Sequence, residues 1–119
     1  MIKTLETCSL EFFENYVVST IYEGVIFGKK ESQVQTKEIL EVFKNKPFVY
    51  ISNRINSYSV DPIIYLKTSK IASLAGFAIV SKSLSARNAE VESLFLNKPF
   101  EIFDTLEEAK SWANSLLNS

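Results

Sequence analysis

The apolar positions of this chain change period several times, and each change marks an element. In "SLEFFENYVVSTIYEG" (Ser9 to Gly24), aromatic and β-branched residues flank Glu14-Asn15, which predicts a β-hairpin turning on those two residues. Alternation along the second arm sets Val17, Ser19 and Ile21 on one side, with Tyr16, Val18, Thr20 and Tyr22 on the other. Gly24 and Gly28 bracket a short apolar piece and mark the exit from the strand. Ser32 and Gln35 have capping-box spacing, so a helix is expected from there, with Ile39, Leu40, Val42 and Phe43 on one face. Lys44 and Lys46 sit where positive charge complements a helix C-terminus, and Pro47 ends the helix.

"FVYIS" (Phe48 to Ser52) is apolar without clear alternation, the pattern of a central strand covered on both faces. After a polar loop, Asp61 as N-cap and Pro62 at the first helical position open a helix through Lys70, and "LAGFAIV" (Leu74 to Val80) is a second buried strand. Ser85 is a candidate cap for a helix over 86–97, where Val91, Leu94 and Phe95 share a side; Pro99 stops it and introduces "FEIF". Thr105 and Glu108 form a second capping box, followed by Leu106, Ala109, Trp112, Ala113, Leu116 and Leu117 at three- and four-residue spacing, with Trp112 packing helix against sheet. The expected order is ββαβαβαβα: one α/β domain over residues 1–119, with a mixed sheet that is parallel where crossovers join strands and helices packed on it.

Composition narrows the function classes. The 119 residues are 46% hydrophobic and 23% charged, the balance of a globular domain, and 13 basic against 14 acidic residues leave a net charge of −1 with no basic block. Nucleic acid is therefore not an expected partner, because binding phosphates needs a concentrated basic surface. The sequence contains no histidine, which removes the usual base of Ser-His-Asp and Cys-His systems and the commonest zinc ligand. Cys8 has no partner for an internal disulfide and reads as an inert thiol. The N-terminal stretch carries acids where a signal peptide has its apolar core, and no segment has the ~20 apolar residues of a transmembrane span. A cytoplasmic location is expected.

No residue pattern points to catalysis, a cofactor or a metal. Glu90 and Glu92 are two apart on a helix and point apart, while Glu107 and Glu108 occupy a helix first turn, where negative charge suits the dipole. In open α/β sheets ligands bind outside the carboxyl ends of strands. The loops there are "SNRINSYSVDP", with Asn53 and Arg54 as candidate contacts for a partner or anion, and "SKSLS", where Lys82, Ser83 and Ser85 would form a small anion-accepting rim. Ordinary loop hydroxyls and an N-cap account for the same serines. Tyr50, Tyr58 and Tyr65 cluster around the first loop, and Phe77 and Phe95 approach from the second half.

The element order resembles that of STAS domains (sulfate transporter and anti-sigma factor antagonist). The second half is similar to the bacterial SpoIIAA-like branch, also described as STAS/SEC14-like. The residues carrying the likeness are "GFAIVSKSLSARNAEVESLF" and then "NKPFEIFDTLEEAKSWANSLL", with its NKP turn, short strand ending in Phe, and T-x-x-E-A-x-x-W helix. The resemblance implies a non-enzymatic regulatory module that acts through a protein partner or its own copy. It also implies a phosphorylation switch at the loop after the third strand, where Ser59 lies nearest the matching position and Ser57 next, although the family's flanking Asp and Gly are missing. The alternative it implies is a carrier or sensor of a small apolar or lipid-like ligand, membrane-associated in some members, for which Tyr50, Tyr58, Tyr65, Phe77 and Phe95 would form the pocket.

Overall fold

In a computed structural model, residues 1–82 and 95–118 are described. The expected helix over 86–97 lies outside them apart from its last three residues, as do Ser83 and Ser85. The strands are β1 (Ile2–Thr4), β2 (Cys8–Phe12), β3 (Tyr16–Ile21), β4 (Ile26–Phe27), β5 (Phe48–Asn53), β6 (Ser59–Val60), β7 (Leu74–Val80) and β8 (Phe100–Phe103). The helices are α1 (Lys29–Phe43), α2 (Ile64–Thr68) and α3 (Leu106–Asn118). Six strands form one mixed sheet in the order β1-β2-β3-β5-β7-β8, antiparallel across β1, β2 and β3 and parallel from β3 to β8.

The hairpin turns as expected: Phe13 N donates to Tyr16 O at 2.9 Å around Glu14-Asn15. Central β5 is buried on both faces, as its continuous apolar run requires. One face carries Val17, Ile21, Phe48, Phe77 and Ile79 under α1 and α2; the other carries Val18, Val49, Ile51 and Ala78 under α3. The sheet is thus sandwiched between helices, which is why β5 and β7 read as near-continuous apolar runs.

Three departures from the expected order have simple causes. Strand β1 adds an edge to the hairpin, pairing Ile2 with Glu11 and Thr4 with Ser9; three residues at an edge need only backbone bonds and leave no apolar period to read. Strands β4 and β6 form a separate two-residue parallel ribbon, Ile26 with Ser59 and Phe27 with Val60, too short for any periodicity. Helix α1 begins one turn before the expected cap. Gly28 stays extended, its N–H donating to Glu31 Oε1 at 2.9 Å, so Ser32 and Gln35 lie inside the helix. At the other end Lys44 leaves the helix at φ 56°, its N–H still bonded to Leu40 O, and Lys46 Nζ reaches Glu14 O at 2.7 Å instead of the helix terminus.

The last helix begins as its capping residues dictate, with Glu108 N donating to Thr105 Oγ1 at 3.2 Å. Its buried residues are Ala109 and Ala113, which let the backbone approach the sheet, and the Trp112 ring lies 5.7 Å from that of Phe103. Gly76 on β7 makes room for this approach: a Cβ there would sit 2.7 Å from Leu116 Cδ2 and 3.0 Å from Trp112 Cη2. We expect Gly76→Ala to cost about 1–3 kcal/mol through overpacking, read as a lower urea midpoint with an unchanged slope. An unchanged midpoint would mean that α3 has slack to move outward.

Candidate functional site

Beneath α1 and α2 the sheet presents a layer of mixed aromatic and polar side chains. Period-two alternation on β5 turns Phe48, Tyr50 and Ser52 toward these helices, and β3 and β7 contribute Ser19 and Phe77 to the same face. The four-residue spacing of Gln35, Ile39 and Phe43 aims all three at the sheet from α1. Phe77 is the hub of the aromatic part, stacked on Tyr50 (centroids 4.8 Å), edge-on to Tyr65 (5.4 Å) and stacked near Phe100 (5.9 Å).

Gln35 is the hub of the polar part. Its Nε2 donates to Ser19 Oγ at 2.7 Å and lies 3.4 Å from Cys8 Sγ, while its Oε1 accepts from Tyr50 OH at 2.9 Å. A second group stands at the end of β5. Ser52 Oγ and Tyr58 OH are 3.2 Å apart, Arg54 Nε donates to Ser52 Oγ at 3.2 Å, and the Arg54 guanidinium carbon lies 5.7 Å from the Tyr58 ring centre. No buried side-chain nitrogen or oxygen among the described residues lacks a partner. Gln35, Ser19 and Ser52 were not singled out as site residues from sequence; the spacing of 35, 39 and 43 on one helix face was the signal available.

Of these groups, Gln35, Tyr50, Ser52 and Tyr58 line a cavity of about 40 Å³. That holds a water or two, whereas an apolar cavity of about 150 Å³ is of the size that admits benzene. Tyr50, Tyr58, Tyr65 and Phe77 all reach its wall, and Phe95 packs on the same core without lining it. Burial pushes the Tyr50 hydroxyl well above the ordinary tyrosine range and the Cys8 thiol upward as well. Both groups therefore keep their protons in the folded state beyond the pH at which the unfolded chain, with ordinary values of 9.0 and 10.0 for thiol and phenol, releases them. Stability that is complete below pH 9 should fall as pH rises past that value. Denaturant titrations at stepped alkaline pH should show the decline in the wild type and a shallower one in Cys8→Ala combined with Tyr50→Phe; equal slopes would rule out these two groups as its source.

At the carboxyl ends of β5, β7 and β8, Asn53 and Arg54 share a cleft of about 550 Å³ with Lys82, Asp104 and Glu107. The loops after β5 and β7 lie side by side over their described parts, Arg54 N donating to Val80 O at 2.9 Å. The cleft carries both signs of charge, and Ser83 and Ser85 fall outside the described residues.

Ser57 and Ser59 are both exposed. Ser59 belongs to β6, bridged to Ile26, and the Ser57 N–H donates to the Glu23 carboxylate. The α2 entry is occupied by Asp61, whose Oδ1 accepts from Ile63 N at 3.1 Å. Among the described residues, no three Cys, Asp or Glu side chains are placed to hold a metal, and no helix is long and apolar enough to cross a membrane.

No family model matches the sequence, and no curated protein matches it. A solved structure is similar over 95% of this chain and 98% of its own, with a TM-score of 0.65 and 15% identity: an uncharacterized protein of the DUF3478 family from Shewanella loihica PV-4, described as having a SpoIIAA-like fold. Its mixed sheet sandwiched between helices therefore places this chain in the SpoIIAA-like fold.

Proposed function

We propose that this chain is a non-enzymatic interaction module, of the kind its STAS-like fold suggests, which docks a protein partner through the loop after β5 and the outer side of α2. The observation that carries this reading is a concentration of exposed large aliphatic side chains on segments tied together by the β4–β6 ribbon. Ile26 is 77% exposed, Ile55 72%, Ile63 62% and Leu66 49%. Ile63 and Leu66 are three apart on one turn of α2, and Asp61 N donates to Phe27 O, which holds the start of α2 beside β4. Single exposed aliphatics are ordinary, but several on segments joined by one ribbon offer apolar area that gains free energy when covered.

A phosphate of about −2 charge beside such a surface would oppose its desolvation. Ser59, paired through the backbone with Ile26, is the better acceptor of the two serines, because the Glu23 carboxylate at the Ser57 amide would repel a phosphate there. A photo-reactive residue at Ile63, expressed in the native host, should give one dominant protein adduct that Ser59→Asp weakens; an adduct of twice the chain mass would make the partner a second copy. Equal labelling from a probe on the solvent side of α3 would refute the surface. Unchanged labelling in Ser59→Asp would refute the switch alone. Carriage of an apolar ligand inside the core has no comparable support, since the cavity of about 40 Å³ is too small to hold one.

A further inference from the structure

Between α1 and α2 runs an open groove of about 290 Å³ whose charged residues are all lysines: Lys29 and Lys37 from α1 and Lys67 from α2. The chain as a whole has a net charge of −1, and three acids of the flanking segments are engaged elsewhere. Glu31 accepts from Gly28 N, Glu38 pairs with Lys3 at 2.9 Å, and Asp61 accepts from Ile63 N. None of the three lysines has a carboxylate partner among the described residues. Lys29 also crowds Lys67 closely enough to hold its ammonium below the ordinary lysine range, with Lys70 adding to the effect. Two cations from separate elements that approach without an anion between them repel each other, and a shared anion removes that repulsion.

The rest of the wall is amphipathic. Ser32 and Thr36 offer hydroxyl donors, while the Thr68 hydroxyl donates to Ile64 O at 3.2 Å; Ile64 and Ile71 offer apolar surface, and all five residues also line the inner cavity, so the groove adjoins it. We infer that this groove binds a small organic anion, a phosphate or carboxylate bearing a short apolar group. Lys29 and Lys67 clamp the charged end, Ser32 and Thr36 complete its hydrogen bonds, and Ile64 and Ile71 cover the apolar end. The inference does not rest on the docking surface proposed above, whose α2 residues, Ile63 and Leu66, do not line the groove.

The same chemistry is offered by a soluble phosphomonoester and by an anionic lipid headgroup, and two probes separate them. Hexyl phosphate titrated into the isotopically labelled protein should shift amide signals of residues 29–37 and 64–71 saturably, with hexanol and inorganic phosphate each binding at least about tenfold more weakly. Lys29→Gln with Lys67→Gln, both at exposed positions, should weaken hexyl phosphate about tenfold or more while leaving the rest of the spectrum in place. Flotation with phosphatidylcholine vesicles containing phosphatidic acid, but not with pure phosphatidylcholine, would assign the anion to a lipid if the double variant abolishes it. Absence of saturable binding in both assays, or binding that survives loss of the two lysines, would overturn the inference.

Discussion

Phe77→Ala is expected to lower the unfolding free energy by about 3–5 kcal/mol, a large part of the ~5–15 kcal/mol that holds a domain of this size together. The ring is 3% exposed and touches three other aromatic rings on separate strands and a helix, so little can collapse into the space it leaves. That space would merge with the existing cavity of about 40 Å³ and become large enough for benzene. Benzene or indole should therefore raise the melting temperature of the variant in a concentration-dependent way and leave the wild type unmoved. A comparable rise in the wild type would show that its core opens to apolar ligands and would revive the carrier reading. If the alanine variant does not fold, Phe77→Leu, expected to cost roughly 1–2 kcal/mol, gives the same comparison with a smaller void.

The sequence made the sheet legible where its residues had to satisfy one periodic demand at a time. β5 and β7 show unbroken apolar runs because helices cover both their faces, and the final helix shows a strong three-and-four pattern because one of its faces lies on the sheet. Strands β1, β4 and β6 were illegible for the opposite reason: they are two or three residues long and held by backbone bonds that no side chain announces. The start of α1 was misread because Ser32 and Gln35 match a capping box by spacing alone, whereas Gly28 and Glu31 perform the capping. That misreading also hid the site. A glutamine assigned to a helix start is a surface residue; the same glutamine one turn further in is the centre of a buried network. The clustering of Tyr50, Tyr58 and Tyr65 was visible because all three lie within one strand, one loop and one helix start. Lysines 29 and 67, which meet only through the packing of α1 against α2, carried no sequence signal.

Gln35→Leu is nearly isosteric, so its cost measures polar satisfaction more than volume. In the wild type the amide serves the Ser19 hydroxyl, the Cys8 thiol and the Tyr50 hydroxyl, all on the sheet face it covers. A leucine there leaves these groups without that partner, Ser19 and Cys8 buried and Tyr50 half-buried, and each orphaned hydroxyl costs about 1–3 kcal/mol. Tyr50 and Ser19 are near enough to interact with each other, which returns part of that loss, so a net destabilisation of about 2–3 kcal/mol is expected. The sign of the next step distinguishes this mechanism from simple loss of packing. Adding Tyr50→Phe and Ser19→Ala to Gln35→Leu removes the orphaned groups themselves, and the triple variant should be more stable than the single one. Chemical denaturation of the four proteins, wild type, Gln35→Leu, the double Tyr50→Phe/Ser19→Ala and the triple, closes the cycle. Strict additivity would mean that the network does not act as a unit. A triple variant recovering about 1 kcal/mol or more over Gln35→Leu would show that Gln35 is retained at this position because its polar neighbours require it, and not because the core needs its bulk.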